Sequence, residues 1–287
     1  MLEIICVGNE LLIGKTLNTN AHWLAKRATS LGMMVKRVTV ILDEMEEIAA
    51  VLREALQRKP RFIITTGGLG PTFDDKTLEG IAKGLNRKLE IDKKALRFVK
   101  EKYESYLKRG KIVEFELTPA RVKMATFPEG AEPLRNAVGT APGMLLTVGG
   151  TFVIALPGVP PEMEAIFDES VAPMIKKEAG KSRFFENSIH ADRIMESSLA
   201  PLIDQVMHDN PRVYIKSHVY TRSNQRPSEG RPHIEIHFSI TAETSRNASE
   251  HLGKTITELS RLIVNCGGRV NKSRTSSARI AARGLKE

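Results

Sequence analysis

A glycine-rich stretch with two neighbouring carboxylates is the part of the sequence whose residue types best suit chemistry on a phosphate. Glycines leave backbone N–H groups open to an anion, and the start of a following helix adds positive dipole. Carboxylate oxygens are the ligands that Mg²⁺ prefers. The stretch therefore predicts a site for a phosphate-bearing ligand and a divalent cation, with a tight turn capped by an aspartate as the alternative. This stretch, called the glycine turn below, reads Thr65-Thr66-Gly67-Gly68-Leu69-Gly70-Pro71-Thr72-Phe73-Asp74-Asp75-Lys76-Thr77.

The glycine turn lies between a predicted strand and a predicted helix. The run at 61–64 is short, largely apolar and β-branched, which is typical of a buried strand. After the turn, Leu78, Ile81 and Leu85 have the spacing of a helix with one apolar face. The sequence therefore predicts a strand, a glycine turn and a helix in that order.

Two similar units precede the glycine turn and extend the pattern. Strands are predicted at 2–7 and 35–41, and each is followed by a turn and an amphipathic helix. Strands that alternate with helices favour an α/β fold with a doubly wound, mostly parallel sheet. Ligands of such sheets lie beyond the carboxyl ends of the strands, so three turns are predicted to face one crevice. These turns are residues 8–15, 42–44 and 66–77.

The middle of the chain contains a charged helix, a loop and a hairpin. The segment 92–108 is amphipathic but strongly charged, so we expect it on the surface or in an oligomer contact. A loop dense in turn-forming residues follows at 134–143. Two apolar runs around Gly149-Gly150 predict a hairpin, because paired glycines suit a primed turn. The hairpin leads through a proline-rich turn, 156–163, into another helix.

A polar stretch at 178–182 predicts a boundary between a first domain, 1–177, and a second, smaller α+β domain, 183–265. Within the second domain, 217–232 is predicted as a long polar loop. Residues 266–287 are predicted to form a basic, loosely ordered tail, because they hold little apolar content.

The charge and cysteine content limit the classes of function. The chain of 287 residues carries a formal charge of +9, a mild excess that fits acidic small ligands as well as nucleic acid. Nucleic-acid binding is not favoured, because its basic footprint needs clustering on one face. Its two cysteines, Cys6 and Cys266, match no metal or disulfide spacing. No apolar run approaches the length of a membrane span, and the N-terminus lacks the basic start of a signal peptide. We therefore expect a soluble, cytoplasmic protein.

Four stretches in the first domain together resemble the molybdopterin-binding (MoaB/Mog-like) domain, in the form found at the N-terminus of CinA-type competence/damage-inducible proteins. The domain that follows resembles the small KH-like module of CinA proteins, but it lacks the Gly-x-x-Gly loop that would favour RNA binding. A further domain with nicotinamide-nucleotide amidase activity, which many CinA proteins carry, is not expected within these 287 residues. The four stretches are 8–14 with 18–20, 65–77, 136–143 and 156–163.

The resemblance implies two chemistries in one crevice. CinA-type domains are associated with metal-dependent hydrolysis of ADP-ribose and related nucleotide diphosphates, and Mog-like relatives bind molybdopterin and adenylylate its phosphate. A non-catalytic nucleotide-binding or scaffold protein is the alternative of another class, because one fold hosts many functions. The resemblance also implies a homodimer. The expected cofactor is a divalent metal, Mg²⁺ or else Mn²⁺ or Co²⁺.

The resemblance and the residue types suggest a role for each polar side chain at the strand ends. Asp75 and Asp43 would bind or orient the metal ion, and Glu10 would activate water or complete the metal shell. Lys15 and Lys76 would neutralise the leaving phosphate.

The remaining site residues would bind substrate. The N–H groups of Gly67, Gly68 and Gly70 would hold a diphosphate. The loop at 136–143 would form a second wall of the crevice, and the turn at 157–160 its floor. The predicted substrate-binding residues are Gly8, Asn9, Thr66, Gly67, Gly68, Gly70, Pro71, Thr72, Thr77, Asn136, Gly139, Pro142, Gly143, Pro157 and Gly158.

Several of these residues also have a purely structural interpretation. Asp43 is as well placed to cap a helix as to bind a metal, and Asp74 is favoured as a cap. Asn18 and Asn20 are favoured as caps of the first long helix. Trp23 adjoins an apolar stripe and is expected to pack rather than to stack on a base.

Overall fold

The computed structural model describes residues 1–220 and 233–272. Two compact units divide the chain. The first unit comprises residues 1–29 and 33–178, and the second comprises residues 30–32 and those from 179 onward.

A six-stranded mixed sheet forms the centre of the first unit. Its strand order is β2-β1-β3-β8-β7-β6, in which β2, β1, β3 and β8 are parallel and β7 and β6 are antiparallel to their neighbours. The predicted mostly parallel α/β sheet is therefore confirmed. A separate pair, β4 and β5, is antiparallel. The strands are β1 (Leu2–Val7), β2 (Val35–Ile41), β3 (Phe62–Thr66), β4 (Leu89–Ile91), β5 (Thr126–Pro128), β6 (Glu132–Leu134), β7 (Gly143–Val148) and β8 (Thr151–Leu156).

The central strands are buried along their whole length, which explains their continuous apolar runs. Ile4 pairs with Ile64 across β1 and β3, and both side chains are fully buried. Burying one such side chain contributes about 1.5–3 kcal/mol before the entropic cost of folding. This rigid central sheet fixes the positions of the turns that leave its carboxyl edge.

Helices cover the sheet, and the strongly charged fifth helix is among them. The fifth helix begins at the N-cap Asp92, whose carboxylate accepts from the N–H of Ala95 at 2.6 Å. Ala95 and Val99 of this helix are fully buried in the same core as the sheet. The helix therefore lies on the surface of the first unit, as predicted, and packs on the core through a narrow apolar face. Its role in an oligomer contact stays a prediction. The helices are α1 (Asn9–Leu12), α2 (Thr19–Ser30), α3 (Met45–Gln57), α4 (Thr77–Gly84), α5 (Lys93–Lys108), α6 (Pro119–Lys123), α7 (Pro160–Ile166) and α8 (Ala172–Ala179), with a π-helical turn, Phe167–Val171, between the last two.

Short elements were the hardest to predict in the first unit. The hairpin of β7 and β8 is confirmed, and both residues of its Gly149-Gly150 turn have positive φ, +53° and +89°. The strands β4, β5 and β6 were not predicted, because three residues are too few to show an alternation. Trp23 packs edge-on against Phe167 with ring centroids 5.3 Å apart, which confirms its predicted packing role.

The second unit contains a four-stranded sheet in the order β10-β11-β9-β12. One face of this sheet buries apolar side chains against two helices. Two predictions are wrong here. Residues 217–220, predicted as loop, belong to a strand, and 269–272, predicted as tail, form a short edge strand whose polar residues gave no apolar signal. Residues 221–232 and 273–287 of the predicted loop and tail lie outside the described residues. The elements are β9 (Arg183–Asp192), α9 (Glu196–Asp209), β10 (Tyr214–Tyr220), β11 (His233–Ala242), α10 (Ser245–Asn265) and β12 (Arg269–Lys272).

Both cysteines are free thiols; Cys6 is buried in β1 and Cys266 is exposed. Among the described residues, no helix has both the length and the apolar character needed to cross a membrane.

Candidate functional site

The carboxyl ends of four neighbouring strands meet at one edge of the central sheet. Gly8 follows β1, Leu42 follows β2, Gly67 follows β3 and Pro157 follows β8. The three turns that were predicted to face one crevice therefore leave the sheet at the same edge, and the turn after β8 joins them.

Gly67 has a backbone position that only glycine fits. Its φ is +104°, and a Cβ there would lie 2.2 Å from the carbonyl oxygen of Val7. Gly158 also approaches Gly67 closely, since a Cβ on Gly158 would lie 3.3 Å from the Cα of Gly67. The two glycines thus bring the ends of β1, β3 and β8 into contact.

Three backbone N–H groups of the glycine turn are open. Within the part of the chain that the structure describes, the N–H groups of Gly68, Leu69 and Gly70 donate to no protein acceptor. The N–H of Gly67 differs, because it donates to Leu156 O at 3.0 Å. The prediction that Gly67 holds a diphosphate through its N–H is therefore wrong: that group already joins β3 to β8. Successive open N–H groups in a turn form a concave anion site.

Thr77 fixes the shape of the turn. Its hydroxyl donates to Gly67 O at 2.8 Å, and its N–H donates to Gly68 O at 3.1 Å. Thr77 is fully buried. Its hydroxyl is thus already used inside the protein, and the residue supports the turn; direct contact with substrate stays a prediction.

Asp74 and Asp75 share one hydroxyl donor. Thr72 N–H donates to Asp75 Oδ2 at 2.8 Å, and the Thr72 hydroxyl lies 2.5 Å from the same oxygen. The hydroxyl also contacts Asp74 Oδ1. Because a hydroxyl has only one proton to donate, it can satisfy one of these carboxylates at a time. The prediction that Asp74 caps the next helix is wrong, since the N-cap of α4 is Lys76, without a side-chain cap bond.

Asp43 is held by the first turn rather than by a helix. Its Oδ2 accepts from the N–H of Asn9 at 2.8 Å, and its own N–H donates to Asn9 Oδ1 at 3.3 Å. The N-cap of α3 is Glu44, so the alternative of Asp43 as a cap is excluded. The structure thus ties the ends of β1 and β2 together through this residue.

The carboxylates at this edge affect one another. Partial burial raises the pKa of Asp43, the N–H of Asn9 lowers it, and the charges of Glu10, Asp74 and Asp75 raise it further. Among the described residues, no three His, Cys, Asp or Glu side chains converge in the manner of a complete metal cage. Mg²⁺, however, is usually held by one or two carboxylates together with waters and substrate phosphates. The carboxylates at this edge of the sheet fit such an ion.

Lysines also approach the glycine turn. The hydrogen bond from Thr72 is the main cause of the lowered pKa of Asp74, and the charges of Lys123 and Lys76 lower it further. Lys123, which the sequence analysis missed, donates through Nζ to Thr72 O at 2.6 Å and so ties α6 to the turn. Lys15 is exposed in the loop after α1, and its role stays a prediction.

A cleft of about 500 Å³ adjoins the glycine turn. Most of its walls are apolar, and Asp75, Glu79 and Lys123 add charged groups at its margin. Mostly apolar walls with a few polar groups are typical of small-molecule sites. The apolar lining residues are Leu69, Leu78, Leu89, Leu117, Pro119 and Val122.

The loop at 136–143, called the Asn136 loop, is tightly bonded. Asn136 Oδ1 accepts from the N–H groups of Val138 and Gly139 at 3.0 and 2.7 Å. Its Nδ2 donates to Ala141 O at 2.8 Å and to Glu162 Oε2 at 2.7 Å. Glu162, in the first turn of α7, also packs on Gly139, where a Cβ would overlap its carboxylate. Asn136 therefore acts mainly as a scaffold.

The other predicted wall and floor residues are mostly structural as well. Pro142, Gly143 and Pro157 are buried, and a Cβ on Gly143 would lie 3.0 Å from Ala155 O. Pro71 and Gly158 are exposed at the crevice.

Asn20 has a role that differs from the predicted cap. Asn18 is the residue that caps α2, through its Oδ1 and the N–H of Ala21 at 3.0 Å. Asn20 Nδ2 instead donates to Thr66 Oγ1 at 3.1 Å and to Gly158 O at 2.8 Å. Asn20 thus links α2 to the ends of β3 and β8, and Thr66 extends the link by donating to Pro157 O at 3.0 Å.

Comparisons with known proteins cover both this site and the whole chain. The family model described as "probable molybdopterin binding domain" matches residues 3–177. A protein of Pyrobaculum calidifontis is 43% identical over 277 residues, which cover 96% of this chain and 98% of that protein. A protein of Aeropyrum pernix is 43% identical over 269 residues, which cover 94% and 96%.

A crystal structure of the protein CinA, of unknown function, from Thermoplasma acidophilum is 42% identical with a TM-score of 0.54. The similarity covers 62% of this chain and 97% of that one. The family match ends at residue 177, so the KH-like interpretation of the second unit stays a prediction.

Proposed function

Because the chain belongs to the family of probable molybdopterin-binding domains, we propose that its glycine turn binds the diphosphate of a nucleotide. We propose further that the first unit hydrolyses this diphosphate, as in ADP-ribose, with the help of a divalent metal ion. The resemblance to CinA-type domains suggested this activity, and the geometry of the crevice supports it.

One observation carries the proposal. The N–H groups of Gly68, Leu69 and Gly70, which donate to no acceptor among the described residues, lie in the same turn as Asp75. A second carboxylate, Asp43, is close enough for the charge of Asp75 to raise its pKa. A diphosphate with its metal ion needs both kinds of group at one place, since the anion requires donors and the ion requires oxygen ligands. A purely structural turn would need neither the open donors nor the crowded carboxylates.

Asp43 and Asp75 would hold the metal ion, whose contribution when bound is to neutralise charge on the phosphate oxygens and to activate water. Partial burial is the main cause of the raised pKa of Asp43, and the charges of Glu10, Asp74 and Asp75 raise it further. A cation held at this edge would relieve the repulsion among these carboxylates. Lys76 would add positive charge on the same side, next to Asp74.

In the proposed reaction, water attacks one phosphorus of the diphosphate and the P–O bond of the bridging oxygen breaks. ADP-ribose would yield AMP and ribose 5-phosphate, and the proton lost by the attacking water would pass to a base. Glu10 is the candidate base: its carboxylate folds back over Gly8, where a Cβ would lie 2.6 Å from Oε1. Glu10 therefore lies at the end of β1, beside the carboxylates that it influences.

The test is incubation of metal-free protein with ADP-ribose and Mg²⁺, Mn²⁺ or Co²⁺ in turn. The expected result is AMP and ribose 5-phosphate in equal amounts, with activity lost on addition of EDTA and regained with excess metal. A folded protein that releases no AMP with any of the three metals contradicts the hydrolase proposal. Binding of ADP-ribose without turnover would instead assign the crevice to a non-catalytic nucleotide-binding protein.

A second candidate is molybdopterin binding, which is the binding named in the description of the matched family. The accompanying adenylyl transfer is implied by the resemblance to Mog-like domains. The apolar cleft beside the turn suits a pterin as well as a purine, and the turn suits the pterin's phosphate. Calorimetry with molybdopterin, with and without ATP, separates the candidates. Tighter binding of molybdopterin than of ADP-ribose, with adenylylated product when ATP is present, would favour this second function.

A further inference from the structure

Four basic side chains gather beside the Asn136 loop. They are called the basic cluster below. Three of them are exposed, and Lys102, on α5, is half-buried. Lys102 Nζ donates to Ala137 O at 2.7 Å, so this side chain reaches directly into the loop. The basic cluster is Lys102, Arg109, Lys111 and Arg135.

Tyr106 forms the centre of this surface. The Nζ atoms of Lys102 and Lys111 lie 5.5 and 5.3 Å from the centroid of its ring. The N–H of Lys111 also donates to Tyr106 O at 2.9 Å, just after the end of α5. Two ammonium groups are thus held around one aromatic ring, at a spacing that cation–π attraction favours.

The cations of the cluster repel one another. Burial is the main cause of the lowered pKa of Lys102, and the charges of Arg109, Lys111 and Arg135 lower it further. The charge of Glu162 raises it, but that carboxylate already accepts a hydrogen bond from Asn136. An anion placed here would relieve the repulsion among the cations.

The cluster lies along the same sheet edge as the glycine turn. The Asn136 loop enters β7, which pairs with β8, and β8 pairs with β3. Arg135 follows β6, three strands from β3, and neighbouring strands lie about 4.8 Å apart, so its backbone is about 14 Å from the end of β3. The sugar phosphate of a nucleotide held at the turn and the long Arg135 side chain would together span this distance.

From this placement we propose that the basic cluster binds a second anionic group of the ligand, a phosphate monoester on a ribose. The inference rests on the proposed binding of a diphosphate at the glycine turn, and it narrows the substrate class. Preferred ligands would be nucleoside diphosphate derivatives that carry an additional phosphate away from the diphosphate. Arg109, Lys111 and Arg135 would contact that phosphate, while Lys102 would hold the loop in place.

The test compares ligands that differ by one phosphate. ADP-ribose, ADP-ribose 2′-phosphate and ADP-ribose 1″-phosphate are titrated into the full-length protein by calorimetry, without divalent metal, so that no turnover is needed. One of the two phosphorylated ligands is expected to bind about tenfold more tightly than ADP-ribose, because charge-assisted contacts to phosphate are strong. The preference should shrink as salt is raised, since these side chains are largely exposed.

The double variant Lys111→Ala/Arg135→Ala should lose this preference and keep its affinity for ADP-ribose. Both side chains are exposed, so the fold should be retained. The matched control is Lys100→Ala, an exposed lysine on the same helix, which should keep the full preference.

Equal affinity of the wild-type protein for all three ligands would overturn the inference, and so would a preference that survives in the double variant. Neither result depends on AMP release, so the failure of this inference is distinguishable from the failure of the hydrolase proposal.

Discussion

Two glycine-containing loops lie on the same edge of the central sheet and handle their backbone donors in opposite ways. In the glycine turn, the N–H groups of Gly68, Leu69 and Gly70 donate to no acceptor among the residues that the structure describes. In the Asn136 loop, the N–H groups of Val138 and Gly139 both donate to Asn136 Oδ1. The first loop thus leaves its donors for the proposed anion, whereas the second loop supplies its own acceptor.

The difference teaches that glycine content alone does not identify a binding loop. An asparagine two or three residues before the glycine satisfies the loop internally, as an Asx-type turn does. In the glycine turn, the nearby side chains bond elsewhere: Asp75 accepts from Thr72, and the Thr77 hydroxyl donates to a carbonyl. The sequence places both loops at one crevice, and the hydrogen bonds distinguish the proposed anion-binding turn from the internally bonded loop.

The largest expected effect is on stability in the scaffold loop. Asn136→Ala should destabilise the protein by about 2–4 kcal/mol, because it leaves two N–H groups and the Glu162 carboxylate without their partner. Urea denaturation measures the loss. The exposed neighbour Val138 is the control, since Val138→Ala should change the free energy of unfolding by less than about 0.5 kcal/mol. Equal effects of the two changes would remove the scaffold role.

The next effect is on turnover in the glycine turn. Asp75→Asn should lower the rate of ADP-ribose hydrolysis by about 100-fold, since the amide loses the charge that a metal ion needs. Stability should change by less than about 1 kcal/mol, because the amide oxygen can still accept from Thr72. Retention of more than half of the activity, measured as AMP release, would contradict the role of Asp75 while leaving the fold description intact.

A third effect tests the shape of the turn. Gly68 has φ +66°, and a Cβ there would lie 2.3 Å from Thr77 Oγ1. Gly68→Ala should therefore cost about 2 kcal/mol of stability and also weaken ligand binding. The matched control is Gly149→Ala in the hairpin, where φ is +53° but no atom lies within 4 Å of the added Cβ. Thermal denaturation of both should show a smaller loss for the hairpin variant.

The smallest expected effect concerns the charge of Asp43, one of the carboxylates at the carboxyl edge of the central sheet. The pKa of Asp43 is raised, so the folded state holds its proton more firmly than the unfolded chain. Stability from this residue is therefore fullest below the ordinary value of 3.8 and declines as pH rises through the raised pKa. Asp43→Asn should leave stability at pH 7 unchanged or up to about 0.5 kcal/mol higher, because the partly exposed charge is screened. Weaker Mg²⁺-dependent stabilisation in the same variant would confirm its place near the ion.

Much of this arrangement could be predicted from the sequence. The continuous apolar runs of β1 and β3 predict buried parallel strands. Gly67, Gly68 and Gly70 after β3 predict a turn that is poor in side chains. Parallel topology then places the strand ends at one edge. These features depend on residue type and local spacing, which a sequence shows directly.

The contacts that decide between roles could not be predicted. Asn20 donates to Gly158, 138 residues away, and Asn136 donates to Glu162, which follows two intervening strands. The true caps also depend on where a helix begins to within one residue, so the assignment of Asp74 failed. Hydrogen-bond partners and helix caps depend on three-dimensional neighbours and side-chain rotamers, and the spacing of residues along the chain does not reveal them.

The most direct test of the difference between the glycine turn and the Asn136 loop is an NMR titration of the backbone amides. Pyrophosphate is added first, and ADP-ribose in a second titration. The amide resonances of Gly68, Leu69 and Gly70 should shift strongly with both ligands, because their N–H groups would gain an acceptor. Those of Val138 and Gly139 should move little, since Asn136 Oδ1 already accepts from them. Large shifts in the Asn136 loop with a silent glycine turn would contradict the account.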